Sequence, residues 1–425
     1  MERSSLVYKT CCEILRRELV SAMGCTEPIA VAYCAARARA ALGREPERIE
    51  VRASGNVIKN VKSVVVPNTG GRRGIAAAAA IGVLGGDESA ELEVISRVGE
   101  EAKARLPGYL EKTEVTVLPV ESDCILDITV TVSAGGSHAR ARIANEHANV
   151  VLVERDGEVL LEKDASPAAA DASLGPDYSL LTVANICDFA ATCDTADVAD
   201  VLRRQLALNR AIAEEGLRND YGANIGKVLL RTGGGVRTRA KAMAAAASDA
   251  RMNGCELPVV ICSGSGNQGI TASLPVAEYA KELGKSEEEL LRALCVSNLV
   301  TLHAKSGIGR LSAYCGAVSA GAGAGAGIAW LHGGGERAVA HAIVNALAIT
   351  SGIVCDGAKS SCAAKIAMAV EAGVFGFEMY ENGQQFYGGD GLVVKGVENS
   401  IASFSRLARE GMRETDHEII RMMTE

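Results

Sequence analysis

Four of the thirteen cysteines stand where a thiol could do chemistry. Cys25 lies in Gly24-Cys25-Thr26-Glu27-Pro28, a break in an otherwise helical pattern. Pro28 has no N–H to lose and suits the first turn of a new helix, with Thr26 as the expected N-cap. A thiol just before a helix start sits at the positive end of the dipole, which lowers its pKa. The other three are Cys315, in Tyr314-Cys315-Gly316, and the pair Cys355 and Cys362, seven residues apart. On a continuous helix that pair would be separated by roughly 10 Å along the axis, too far to grip one small cluster. Gly357 and Lys359-Ser360-Ser361 let the chain turn between them. The spacing is not that of a zinc knuckle. Three thiolates suit a [4Fe–4S] cluster with one iron left open, and an open iron can act as a Lewis acid on a substrate oxygen or sulfur. The competing reading for any of these thiols is a buried core residue, since free cysteine packs as a small hydrophobe. That reading is adopted for Cys11, Cys12, Cys34, Cys124, Cys187, Cys193 and Cys295, and for Cys255 and Cys262 despite their matching spacing of seven.

Other polar groups could complete a pocket. Ser263-Gly264-Ser265-Gly266-Asn267-Gln268-Gly269 offers backbone N–H groups and short polar side chains ahead of a helix, a nest for a carboxylate or an ordinary Gly-rich turn. A dinucleotide reading of these glycines needs a βαβ setting that the surrounding helical pattern does not give. Asn56, Lys59, Asn60, Asn68 and Thr69 could line the same site, or serve as turn and cap residues. Lys305 is a candidate cation for a substrate carboxylate or leaving group, with a Schiff-base role as the rival. His138 and His147 read as surface or strand residues.

These groups must be carried by a mainly helical body. Residues 5–42 show helical spacing up to the break at Cys25. Arg48–Ala53 alternates like a strand that Ser54-Gly55-Asn56 ends, and Val64–Val66 reads as a short buried strand. Ile75–Leu84 is an Ala-rich helix closed by Gly85-Gly86. Glu88–Leu106 reads as an amphipathic helix. Thr113–Pro119, Cys124–Ser133, His138–Ala144, Val150–Arg155 and Glu158–Glu162 read as strands, with hairpin signals at Gly135-Gly136 and Asp156-Gly157. Asp164–Asp171 is a linker, and helical periodicity resumes from Ser179. The expected fold is α+β and predominantly α: an N-terminal helical and active-site segment (1–86), an inserted α+β unit (87–165), and a Gly/Ala-rich helical catalytic domain (166–425).

Composition narrows the function. A net charge of −8 with no basic cluster argues against nucleic acid. Leu311–Gly335 carries no Asp, Glu, Lys or Arg, but its Gly and Ala offer little to lipid and suit a helix packed inside the protein. Many cysteines without a secretory pattern point to reduced thiols in the cytoplasm.

Several segments resemble one family in a consistent order from about residue 20 to residue 370. GIVCDGAKSSCAAKIA and HAKSGIGRLSAYCGAVSAGAGAGAGIA resemble the cluster-binding stretches of iron–sulfur L-serine dehydratases and, more closely, of L-cysteine desulfidases. ICSGSGNQGITASLPVA resembles their Gly-rich substrate loop; SAMGCTEPIAVA and SGNVIKNVKSVVVPNTGG resemble their N-terminal active-site segments. The resemblance implies Cys315, Cys355 and Cys362 as ligands of a [4Fe–4S] cluster and Cys25 as the catalytic base. Serine dehydratases have a Ser-rich motif with a His in place of residues 24–28, and their last two cluster cysteines lie further apart; both differences favour the desulfidase branch. The implied reaction is β-elimination of L-cysteine to pyruvate, ammonia and sulfide. L-serine dehydration, or a non-catalytic iron–sulfur sensor, are the alternatives. Expected partners are a small amino acid and further copies of the chain, with no nucleic acid and no membrane.

Overall fold

In the computed structural model, which describes residues 1–165 and 175–424, the alternating segments form one six-stranded sheet. Its strands are β2 (Arg48–Ala53), β3 (Glu114–Pro119), β4 (Asp127–Ala134), β5 (Ser137–Ala144), β6 (Val150–Arg155) and β7 (Glu158–Glu162), in the order β3-β2-β4-β5-β6-β7. β2 and β3 run parallel and every other pair is antiparallel. The sheet thus takes its second strand from the N-terminal segment. Ile49, Val51, Ile128, Val130, Val132, Ala139, Ala141 and Ile143 alternate onto one buried face. Helix α2 (Thr26–Leu42) crosses that face, and small Ala residues on β5 let it come close: Cys34 Sγ reaches the Ala141 carbonyl at 3.3 Å. Behind α2 lies α4 (Gly74–Gly85), where Gly82 meets the backbone of Ala32 with no room for a side chain.

Helix α1 (Leu6–Glu18) and the short strand β1 (Ser21–Met23) precede α2, and β1 pairs with β8 (Pro258–Val260). Three local expectations are corrected. Val64–Val66 is not a strand; only Val65 makes an isolated bridge, to Arg73. Glu88–Leu106 is not one helix: Val94, Ile95 and Val98 are buried from a series of turns, and α5 runs Glu100–Lys112 with Gly99 as its N-cap. Ser54-Gly55-Asn56 does more than end β2, because it opens α3 (Gly55–Val61). The Asp164–Asp171 linker falls largely outside the described residues.

The rest is helical, giving the α+β, predominantly α fold that the patterns imply. At its centre is the helix Gly316–Leu331, buried along nearly its whole length. Gly321 and Gly325 sit against Ala369 and Gly373 of the helix Cys362–Glu381, and their numbers rise together, so the two helices run parallel. Gly323 and Gly327 face Ser297, Thr301 and Ala293 of the helix Glu287–Ser306, in the opposite sense. Small residues allow this approach. Among the described residues no helix is long and apolar enough to cross a membrane; the uncharged 311–335 stretch holds this central packed helix.

A Cβ at Gly325 would stand inside contact distance of the Gly373 carbonyl. Gly325→Val is therefore expected to lower stability by about 3 kcal/mol or more, read as a fall in Tm. Gly99→Ala, where nothing lies within 4 Å, should cost less than about 1 kcal/mol.

Candidate active site

The parallel pairing of two helices brings their N-termini to the same end of the body, and each start carries a thiol. Cys315 is the N-cap of Gly316–Leu331, and Cys362 is the first residue of Cys362–Glu381. A backbone bridge between Tyr314 and Val354 places the third: the Cys355 N–H donates to Ala313 at 2.6 Å, and the Cys315 N–H donates to Ile353 at 3.1 Å. Gly357 then turns at φ +90° against the backbone of Lys59, where a side chain would not fit. Lys359 and Lys365 both hold Asp356 and fix the loop between Cys355 and Cys362.

The three thiols line one cavity of about 100 Å³ together with Cys25. Burial, then the neighbouring Cys355, pushes the Cys315 thiol up to about 12, and burial raises Cys362 as well. That burial disfavours the thiolates of Cys315 and Cys362; cationic irons would offset the cost, as metal binding does for a coordinating thiol. Among the described residues no three His, Cys, Asp or Glu side chains are drawn together tightly enough to hold one metal ion. A cubane asks for something else: three thiolates on separate corners, facing one space. Lys305, 3% exposed, adds a cation beside them. Burial lowers its pKa to about 8, against the pull of Cys355 and Cys315.

Cys25, lining the same cavity, is the N-cap of α2, in place of the expected Thr26, which is the first helical residue. The Thr26 hydroxyl donates instead to the Gly264 carbonyl at 2.9 Å, tying α2 to the Gly-rich loop. The expected low thiol pKa is also corrected. Cys25 is 3% exposed, and burial followed by the Glu27 carboxylate holds its pKa well above the ordinary value; Arg251 opposes this only partly. The thiol donates to Glu27 Oε2 at 3.1 Å. Glu27 Oε1 accepts from Asn60 Nδ2 at 2.9 Å and lies 3.8 Å from His147 Nε2. Burial pushes the Glu27 carboxyl up, but His147 and Cys25 outweigh it and hold it below the usual range. His147 is thus a buried residue at the edge of the site, 5% exposed, and not a surface one; His138 is exposed.

Of the residues singled out from the sequence, Asn60, Ser265, Asn267, Gln268 and Lys305 line the cavity with the four cysteines. Ser263 and Gly264 take positive φ of +50° and +73° in the turn before the helix Gly266–Glu282, and Ser263 faces a neighbouring groove. Asn56, Lys59, Asn68 and Thr69 are committed elsewhere. Asn56 and Lys59 bind Asp416 of the C-terminal helix Arg413–Thr424, at 2.8 and 2.5 Å. Asn68 donates to the Ile95 carbonyl at 2.7 Å, and Thr69 caps its own turn through Val66 and Arg72. Glu27, Arg251, Arg310 and Tyr314 line the cavity without having been identified. Only Glu27 carried a signal, two residues from Cys25 in the same motif. Arg310 is paired with Glu18 and Glu146, at 3.1 and 3.3 Å.

Residues 89–421 match the family described as serine dehydratase alpha chain. Across its whole length the chain is similar to a UPF0597 protein of Desulfitobacterium hafniense (strain Y51), 55% identical over 424 residues, covering 100% of this chain and 98% of the relative. A UPF0597 protein of Lachnoclostridium phytofermentans is 49% identical over 418 residues, covering 98% and 100%. One of Treponema denticola is 44% identical over 417 residues, covering 97% and 96%. With a match that spans the central helix, the helix starts at Cys315 and Cys362 and most of the sheet, the chain belongs to the serine dehydratase alpha chain family.

Proposed function

We propose that the protein catalyses β-elimination of L-cysteine to pyruvate, ammonia and sulfide, with a [4Fe–4S] cluster held by Cys315, Cys355 and Cys362. The observation that carries this reading is the meeting of those three thiols with Cys25 around one small cavity. When bound, such a cluster supplies an open iron that can accept the leaving sulfur. The chain's own residues supply the rest. Cys25, once its own proton has left to solvent, removes the Cα proton, and the thiol so formed donates to Glu27 Oε2, the acceptor of its hydrogen bond. Asn60 and His147 hold Glu27 in place. Lys305 offsets the negative charge that gathers on the thiol side. The released enamine hydrolyses to pyruvate and ammonia. Thirteen free cysteines fit a reducing compartment, and the reading places the enzyme in the cytoplasm.

The family description favours a second substrate for the same elimination, L-serine, which would yield pyruvate and ammonia with loss of water. Anaerobically purified protein is expected to be brown, with about four irons per chain as one cubane requires, and to release sulfide and pyruvate in equal amounts from L-cysteine. Pyruvate from L-serine at a higher kcat/KM would assign the dehydratase reaction. Colourless protein that carries zinc and turns over fully would overturn the cluster. An intact cluster with no turnover of any amino acid would leave a binding or sensing role.

A further inference from the structure

Arg251, at the end of the helix Gly235–Met252, is only 2% exposed, and among the described residues it has no acidic partner. Its Nη1 donates to Asn267 Oδ1 at 3.0 Å, while Nε and Nη2 are buried with nothing to bond. Those two N–H groups form one edge of the guanidinium, the geometry that grips both oxygens of a carboxylate. Burying an unpaired cation is costly, so the site calls for an anion. The local backbone is shaped around this side chain: a Cβ at Gly266 would collide with Arg251 Nε.

Two buried acceptors face the same cavity. Asn60 commits its Nδ2 to Glu27, which leaves Oδ1 unbonded. Gln268 lies against Gly316 at the start of the central helix, where a Cβ would stand 2.7 Å from its Cδ, and its Oε1 is also unbonded. Carbonyl oxygens of this kind receive an ammonium group. Lys305 is the other cation of the cavity without an acidic partner among the described residues, but it stands in the field of Cys355 and Cys315. That leaves the carboxylate to Arg251.

We propose that Arg251, anchored by Asn267, holds the α-carboxylate of the substrate, and that Asn60 and Gln268 receive its α-ammonium. The site then recognises the amino-acid zwitterion and leaves the β-substituent to face the three thiols. This deepens the elimination reading and takes from it that the substrate is an amino acid. Asn267 is a positioning residue for Arg251.

The test uses the anaerobically purified full-length protein and calorimetric binding of L-alanine, a probe with no β-leaving group. Wild-type protein is expected to bind L-alanine, and to bind L-alaninamide or propionate about 100-fold more weakly, the worth of a lost charge-assisted pair. Arg251→Gln should weaken L-alanine about 100-fold and raise KM for the turned-over amino acid by a similar factor; Asn267→Ala should do so about 10-fold. L-alaninamide binding as tightly as L-alanine, or no L-alanine binding by wild-type protein, would overturn the proposal. So would folded Arg251→Gln that binds L-alanine within two-fold of wild type, on the same scale. If Arg251→Gln does not fold, the wild-type ligand series and Asn267→Ala decide. The two readings fail separately: L-alanine binding that depends on Arg251, without turnover of any substrate, removes the elimination and keeps the clamp. Turnover with equal binding of the amide removes the clamp alone.

Discussion

Cys25→Ala is expected to slow elimination by about 10²–10⁴-fold, the usual cost of a missing general base, while retaining the iron content and colour of the wild type. Cys25 is the N-cap of α2, a different helix start from those that carry Cys315 and Cys362. Its thiol is bonded to Glu27, so its loss leaves the three proposed ligands untouched. Addition of L-cysteine to the variant should still change the visible spectrum. Cys25→Ser should remain slow, because a hydroxyl is a much poorer base near neutral pH. Bleaching on loss of Cys25 would make it a fourth ligand, and unchanged turnover would move the base elsewhere.

Replacement of Cys315, Cys355 or Cys362 by alanine should have the opposite signature: loss of iron, of visible absorbance and of all turnover, with a lower yield of folded protein. Metal binding of this kind couples to folding, and these thiols sit where two helix starts and the bridge between Tyr314 and Val354 converge. Without irons the loop from Cys355 to Cys362 is held mainly by Lys359 and Lys365 on Asp356. The matched control is Cys255→Ala, a buried thiol outside the cavity, which should keep the full iron complement. Iron content by colorimetry and melting by circular dichroism separate the two classes. A full iron complement in Cys355→Ala would remove that residue from the ligand set.

The sheet was the most legible part of the fold. β6 and β7 could be read to the residue because the Asp156-Gly157 turn bounds both, with the positive φ values of +49° and +88° that such a turn demands, although their pairing shifts register at Val153/Glu154. Cys25 and Cys315 stood out because each lies beside a glycine at a helix start, whereas Cys355 and Cys362 were joined to them by the family resemblance. What failed depended on distant partners. Asn56 and Lys59 sit in the right segment, but Asp416, some 360 residues away, claims both side chains. Arg251 stands in the last turn of its helix, where a basic residue is common; only its burial without an acidic partner among the described residues sets it apart. The helix start at Cys25 was correctly located, yet the direction of the thiol's pKa was not, because enclosure and the orientation of Glu27 are tertiary facts.

The cavity gathers residues from the beginning of the chain, from its middle and from its last third. Cys25 and Cys362 are 337 residues apart, and α3 beside them is braced by Asp416 from the last helix. At the pace of translation, about 5–20 residues per second, roughly 20–70 s pass between synthesis of the first thiol and of the last. Through that interval the newborn Cys25 is an exposed thiol on an unfinished polypeptide. If the proposed cluster is built here, its iron would be delivered only after the ribosome has released the C-terminal helices, and the N-terminal thiol would until then have to escape oxidation.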